Sequence, residues 1–90
     1  MNSNNRVATI QNKRGLHARA AAKFAQVANE FDAQVTVSRG GHSVSGNSIM
    51  GLMMLAASPG TQITLSAIGT QATAALDAIC GLIEAKFEEE

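Results

Sequence analysis

Hydrophobic positions along the chain follow two different periods, and each period predicts a different kind of element. Apolar residues three and four positions apart are typical of a helix that is buried on one side. This spacing occurs in an early and a late stretch of the chain. The positions that carry it are Ala20, Ala21, Phe24, Val27, Ala28 and Phe31 in the first stretch, and Ala72, Ala75, Leu76, Ile79, Leu82, Ile83 and Phe87 in the second.

Alternation of apolar and polar residues predicts short strands around these helices. The segments are Arg6–Ile10, 35–38, 42–45 and 63–67. Gly40-Gly41 is expected to supply the positive backbone angles of a tight hairpin between the second and third strands. With a short helix before the last strand, the order is strand, helix, strand, strand, helix, strand, helix. This mixture indicates an α+β fold with an antiparallel sheet and helices packed on one face.

The short middle helix carries more apolar residues than one buried stripe can hold. Asn47 or Ser48 is expected to cap it. Its apolar positions are Ile49, Met50, Leu52, Met53, Met54 and Leu55. Leu52 and Leu55 are expected to face the core, and a domain this small cannot cover the other positions as well. We therefore expect an exposed surface that adapts to partner proteins, with Ile49, Met50 and Met53 as contacts.

Composition narrows the class of function. Ninety residues make one domain spanning 1–90, and seven Lys and Arg balance seven Asp and Glu, so no net positive charge attracts nucleic acid. Cys80 is the only cysteine, which excludes an internal disulfide, and we expect it to act as a small core residue. The polar first residues resemble no signal peptide, and no apolar run is long enough for membrane insertion. We expect a cytoplasmic protein that needs no metal.

His17 is the residue with the clearest chemical potential. It lies between Gly15 and a predicted helix start, where backbone N–H groups and the helix dipole favour a phosphate. Arg19 adds a planar cation that matches phosphate oxygens, although a cation in the first helical turn opposes the dipole. Histidine can be a neutral nucleophile near pH 7. These residues indicate a histidine that carries a phosphoryl group, whereas His42, beside the glycine hairpin, is expected to be a solvated strand residue.

Two segments resemble a known family. The segment Gly15-Leu16-His17-Ala18-Arg19 resembles the phosphorylation site of the HPr phosphocarriers of the bacterial phosphoenolpyruvate phosphotransferase system. Residues 47–55 resemble the serine-initiated second helix of the same family. The resemblance implies an open-faced β-sandwich, βαββαβα, with a four-stranded antiparallel sheet and three helices on one face. It also implies a carrier protein rather than a complete enzyme, with no cofactor.

The same resemblance assigns roles to residues and partners. His17 would accept a phosphoryl group from phosphorylated enzyme I and pass it to an EIIA-type protein, in sugar uptake or nitrogen-related regulation. Arg19 and the backbone N–H groups of Ala18 and Arg19 would bind the phosphate. Ser48 would be a regulatory phosphorylation site for an HPr kinase, although its hydroxyl is most simply explained as a helix cap. Ala20 stands where many HPr proteins have proline, which leaves the first helical turn less rigid.

Residues 47–50 and 53–55 look closer to the nitrogen-related branch, often called NPr, than to the sugar-transport branch. We expect a monomer. Two other functions stay open at this point. The chain could be an HPr-like regulatory domain that docks partners through the 48–55 helix without phosphoryl transfer. His17 could instead be the general base of an enzyme, although the sequence offers no partner acid or second nucleophile.

Overall fold

The computed structural model describes residues 3–88, and its elements follow the predicted order. Seven regular elements and one final 3₁₀ turn make up the fold. They are β1 (Ser3–Thr9), α1 (Ala18–Asn29), β2 (Gln34–Arg39), β3 (His42–Ser45), α2 (Ile49–Met54), β4 (Gln62–Ile68), α3 (Ala72–Glu84) and the 3₁₀ turn (Lys86–Glu88). The first strand begins three residues earlier than predicted. Ile10 lies beyond its end but is fully buried, and its N–H donates to Thr61 O.

The four strands form one antiparallel sheet in the order β1-β4-β2-β3. One face is buried against the helices, and the apolar residues on it come from alternate positions of the two central strands. They are Val35, Val37, Ile63, Leu65 and Ala67. The intervening positions are mostly serine and threonine and form an open face without helices. This is the open-faced sandwich with helices on one side that the resemblance implies.

Alanine fills much of the space between the helices and the sheet. Phe24 in α1 and Leu76, Ile79 and Ile83 in α3 are the largest buried side chains of their helices. Around them the buried positions are small, and small side chains let a helix lie close to the layer beneath it. These positions are Ala20, Ala21, Ala25, Ala28, Ala72 and Ala75. The thin core is what a chain with three phenylalanines and no other aromatic residue can build.

Phe87 does not lie on the final α-helix, as its spacing predicts. The helix ends at Glu84, and Lys86, Phe87 and Glu88 all adopt left-handed backbone angles, with φ of 55°, 54° and 63°. Phe87 is nevertheless buried, because this turn folds it back into the core. Lys23 of α1 holds the turn, since its Nζ donates to Phe87 O (2.9 Å) and forms an ion pair with Glu88 (3.3 Å).

The structure also tests two smaller expectations, on the glycine hairpin and on Cys80. In the hairpin between β2 and β3, Gly40 has a φ of +60°, but Gly41 keeps a φ outside the left-handed region, so one glycine supplies the turn. Cys80 is half-buried and packs against the core, as expected for a small residue at the edge of the buried stripe. The side chain of Arg6 forms a salt bridge with Asp77 of α3, and this hydrogen bond raises the pKa of the Arg6 guanidinium.

Within residues 3–88, no helix has the length and apolar character needed to cross a membrane.

Candidate functional site

The loop that precedes α1 is closed on itself and packed against the segment after α2. Asn12 is buried, and its Nδ2 donates to Gly15 O (2.7 Å) while the Gly15 N–H donates to Asn12 O (3.2 Å). Leu16 N–H donates to Ala57 O (2.9 Å). Gly15 has a φ of +65°, and a Cβ there would lie 2.4 Å from Ala57 O. Only glycine fits this position, so the loop has one well-defined path into α1.

His17 is the N-cap residue of α1, but its side chain does not cap the helix. The His17 backbone is extended (φ −81°, ψ −178°), and the imidazole makes no cap hydrogen bond to the first turn of the helix. Its carbonyl accepts the first intrahelical hydrogen bond, from Ala21 N–H at 2.8 Å. The N–H groups of Ala18 and Arg19 come before that bond and therefore lie outside the helical ladder. The imidazole, which is half-buried, stands at the end of the helix where these donors are available for an anion.

A hollow of about 220 Å³ opens beside the His17 ring. Its walls come from the loop before α1 and from the segment after α2. The residues that line it are Arg14, Leu16, His17, Ala56, Ala57 and Ser58. Arg14 is the one residue with a permanent charge among them, and no carboxylate lines the hollow. The hollow can hold several water molecules, which is room enough for the four heavy atoms of a phosphoryl group.

The sequence did not identify Arg14 or Ser58 as site residues. Arg14 reads as part of a polar loop, and Ser58 lies more than forty residues from His17. Their place beside the ring results from long-range packing of the loop on residues 56–58, which a periodic pattern does not contain. Ala18 and Arg19, which were predicted, are both exposed in the first turn of α1 and are not among the residues that line the hollow.

The charge around His17 is one-sided. Lys13, Arg14 and Arg19 all lie within four residues of it and are exposed. No acidic residue occurs in the sequence before Glu30, and the first turn of α1 carries none. The neighbourhood of the ring is therefore positive although the whole chain is neutral, and it favours an anionic ligand.

Ser48, rather than Asn47, caps α2. Its backbone is extended (φ −101°, ψ 107°), and its hydroxyl accepts a hydrogen bond from Gly51 N–H at 3.0 Å. Asn47 is engaged elsewhere, because its Oδ1 accepts a hydrogen bond from Ser45 Oγ (2.6 Å). The cap alone accounts for a serine at position 48. The Ser48 side chain is half-buried.

The exposed part of α2 forms a continuous apolar surface, which we call the α2 surface. It consists of Ile49, Met50, Met53 and Met54, the two most exposed being Met50 (71%) and Met54 (78%). Leu52 and Leu55 face the core, as expected. Met54 was not among the predicted contacts, since the pattern alone does not show which residues of so short a helix lie outermost.

The segment that follows α2 leads into the hollow beside His17. The chain leaves α2 through Leu55 and reaches Ala56, which has a left-handed φ of 54° and lines the hollow. Arg39 at the end of β2 donates from Nη1 to Leu55 O (2.9 Å) and so places a cation at the carboxyl end of α2. A protein that docks on the α2 surface would therefore lie next to the imidazole.

The other candidates are elsewhere in the fold. His42 is exposed at the start of β3, where the sequence predicted a solvated strand residue. Cys80 lies in α3 beside β1, near Thr9 and Glu84 rather than near His17. Between residues 3 and 88 there is no group of three or more His, Cys, Asp or Glu side chains that could hold a metal ion.

Comparisons with known proteins agree with the observed fold. Residues 4–85 match the family model described as PTS HPr component phosphorylation site. Phosphocarrier protein NPr of Shewanella violacea is 54% identical over 84 residues, 93% of this chain and 92% of that protein. Phosphocarrier protein HPr of Pseudomonas putida is 54% identical over 82 residues, 90% and 91% of the two chains. The crystal structure of HPr from Thermoanaerobacter tengcongensis superposes with a TM-score of 0.92 at 44% identity, covering 97% of this chain and 98% of the other.

Proposed function

Because this chain belongs to the HPr family of phosphocarrier proteins, we propose that it carries a phosphoryl group on His17 from phosphorylated enzyme I to an EIIA-type protein. The observation that supports this most is the position of the imidazole. It stands at the amino end of α1 and borders a hollow whose one permanent charge is a cation.

The transfer requires a neutral imidazole. The lone pair of one ring nitrogen attacks the phosphorus, a nitrogen–phosphorus bond forms, and the bond to the donor atom of enzyme I breaks with its electron pair left on the donor. The guanidinium of Arg19 and the N–H groups of Ala18 and Arg19 bind the phosphoryl oxygens. In the second step the acceptor attacks the same phosphorus, and His17 is regenerated.

We assign the docking of both partners to the α2 surface, with Ile49, Met50 and Met53 as central contacts. Methionine side chains are flexible and polarizable, so one surface can fit two different proteins. A double exchange of Met50 and Met53 for glutamine should slow transfer from enzyme I at low protein concentration. The matched control is Val7→Thr, which changes an exposed apolar residue on the open face of the sheet.

We also propose that Ser48 is a regulatory phosphorylation site. A phosphate on its hydroxyl would add about two negative charges at the edge of the α2 surface and would replace the neutral cap of the helix. Incubation with an HPr kinase and ATP should yield phosphoserine in the native protein but not in Ser48→Ala. If mass spectrometry finds no phosphoserine under conditions that modify another HPr protein, the site is not used.

The branch of the family is part of the proposal too. The relatives from Shewanella violacea and Pseudomonas putida, one named NPr and the other HPr, are equally identical to this chain, so overall identity does not separate the branches. We propose the nitrogen-related branch, a cytoplasmic location and a monomeric state. Faster phosphorylation by a nitrogen-branch enzyme I than by a sugar-branch enzyme I would support the branch assignment. Sedimentation equilibrium would test the monomeric state.

The central experiment is incubation with phosphoenolpyruvate and a cognate enzyme I. The protein should acquire a phosphate that is labile in acid and stable in base, as expected for phosphohistidine. His17→Ala should abolish the label and His42→Ala should retain it. Binding of partners without any label would favour the regulatory domain that docks through α2. A label that persists in His17→Ala would assign the phosphate to another residue.

A further inference from the structure

We propose that Arg14 is a second phosphate-binding residue, which holds the phosphoryl group on His17 from within the hollow beside the ring. This inference rests on the proposed phosphorylation of His17. It follows from the hollow beside the ring, in which Arg14 and His17 form part of the same wall. The predicted cation, Arg19, lies on α1 and does not line this space.

The loop holds Arg14 in place. Lys13 and Arg14 are the central residues of a turn that is closed on both sides by hydrogen bonds between Asn12 and Gly15. Gly15 is in turn packed against Ala57 O, so the turn has little freedom to move relative to the hollow. The fixed backbone keeps the base of the Arg14 side chain beside the hollow, so only the side chain itself has to be ordered when an anion binds.

The hollow has the right chemistry for a phosphoryl group. Arg14 provides a planar fork of N–H donors that matches two phosphate oxygens. Ser58 adds a hydroxyl, which lies 3.3 Å from the Thr61 hydroxyl. No carboxylate lines the hollow to compete for the guanidinium. The phosphoryl group would therefore meet Arg14 and Ser58 in the hollow, in addition to the N–H donors at the start of α1.

Lys13 provides an internal comparison. It has the same charge, lies in the same turn and is also exposed, but it does not line the hollow. If the loop acts only through its general positive charge, Lys13 and Arg14 should contribute equally. If Arg14 contacts the phosphoryl group, only Arg14 should have a large effect, and lysine at position 14 should restore part of it.

The test compares Arg14→Gln, Arg14→Lys and Lys13→Gln with the native protein. Each is equilibrated with enzyme I and phosphoenolpyruvate, and the phosphoryl exchange constant between enzyme I and the carrier is measured. Arg14→Gln should shift this constant toward enzyme I by about 3- to 10-fold, and Lys13→Gln by less than about 2-fold. Urea denaturation of the unphosphorylated variants shows whether each one is folded.

A second readout separates contact from structure. In ³¹P NMR, the midpoint at which the phosphoryl group on His17 takes up its proton should move to higher pH by about 0.5 to 1 unit in Arg14→Gln, because a nearby cation stabilises the dianion. Arg14→Lys should lie between the native protein and Arg14→Gln. Equal values for Arg14→Gln and Lys13→Gln in both measurements would overturn the role of Arg14 while leaving the carrier function intact. A native protein that takes no phosphate would overturn both.

Discussion

Replacement of Gly15 by alanine tests whether the loop before α1 must lie against residues 56–58. Gly15 has a φ of +65°, and a new Cβ would lie 2.4 Å from Ala57 O, whereas ordinary contact begins near 3.4 Å. The backbone must therefore open by about 1.0 Å (3.4 − 2.4) at this point. The adjacent hydrogen bond from Leu16 N–H to Ala57 O, now 2.9 Å, cannot remain intact after such a movement without distortion elsewhere.

The expected cost has two parts. The left-handed backbone costs a residue with a Cβ about 1 to 2 kcal/mol. The clash and the weakened hydrogen bond add about 1 to 3 kcal/mol. Gly40→Ala is the matched control, because Gly40 has nearly the same φ (+60°) but nothing lies within 4 Å of its added Cβ. Gly40→Ala should show the first part alone, and the difference between the two variants measures the contact with Ala57.

Urea denaturation followed by far-UV circular dichroism is the suitable assay, because the chain has no Trp or Tyr to report by fluorescence. Gly15→Ala should lose about 2 to 5 kcal/mol of unfolding free energy and Gly40→Ala about 1 to 2 kcal/mol. Equal losses in the two variants would refute the reasoning, since the loop would then tolerate a side chain against Ala57 and would not be fixed beside His17 as described.

Four further changes probe α2 and its ends by the same assay. Ser48→Ala removes the hydroxyl that caps the helix and should cost about 1 kcal/mol; no loss would mean that the cap hydrogen bond contributes nothing. Ala56→Gly relieves a left-handed residue at the end of α2 and should leave stability unchanged or raise it by up to about 1 kcal/mol. The matched change Ala22→Gly, at an exposed position in the interior of α1, should lower stability by about 1 kcal/mol. Leu52→Ala should cost about 2 to 5 kcal/mol because the side chain is fully buried. Met54→Ala should change stability by no more than about 0.5 kcal/mol, and a larger loss would show that the α2 surface is packed rather than free to dock.

The elements that were predicted well are those in which a local period and a tertiary layer coincide. In β4, Ile63, Leu65 and Ala67 alternate in the sequence and are all buried on one face of the sheet. In α3 the same agreement holds as far as Ile83. It fails at Phe87, because a left-handed turn stabilised by Lys23 returns that residue to the core, and helical spacing contains no information about such a contact.

The site was predicted in part for the same reason. His17 at a helix start is a local feature, and the structure places it there. The hollow beside it depends on contacts between residues 12–16 and 56–58, which are brought together only by the sheet and by the packing of α1 against α2. The local pattern therefore predicted His17 and its helix, whereas only the folded chain shows that Arg14 lines the hollow.

The alanine-rich interface between the helices and the sheet has an evolutionary consequence. Larger side chains there would push the layers apart, so the interior tolerates little variation. Exposed residues, such as Arg14 and the methionines of α2, are little constrained by packing in the interior. They can be exchanged without disturbing the layers. Substitutions of exposed residues alone could therefore direct such a carrier to new partner proteins. Duplicated copies could diverge in specificity while they retain one fold.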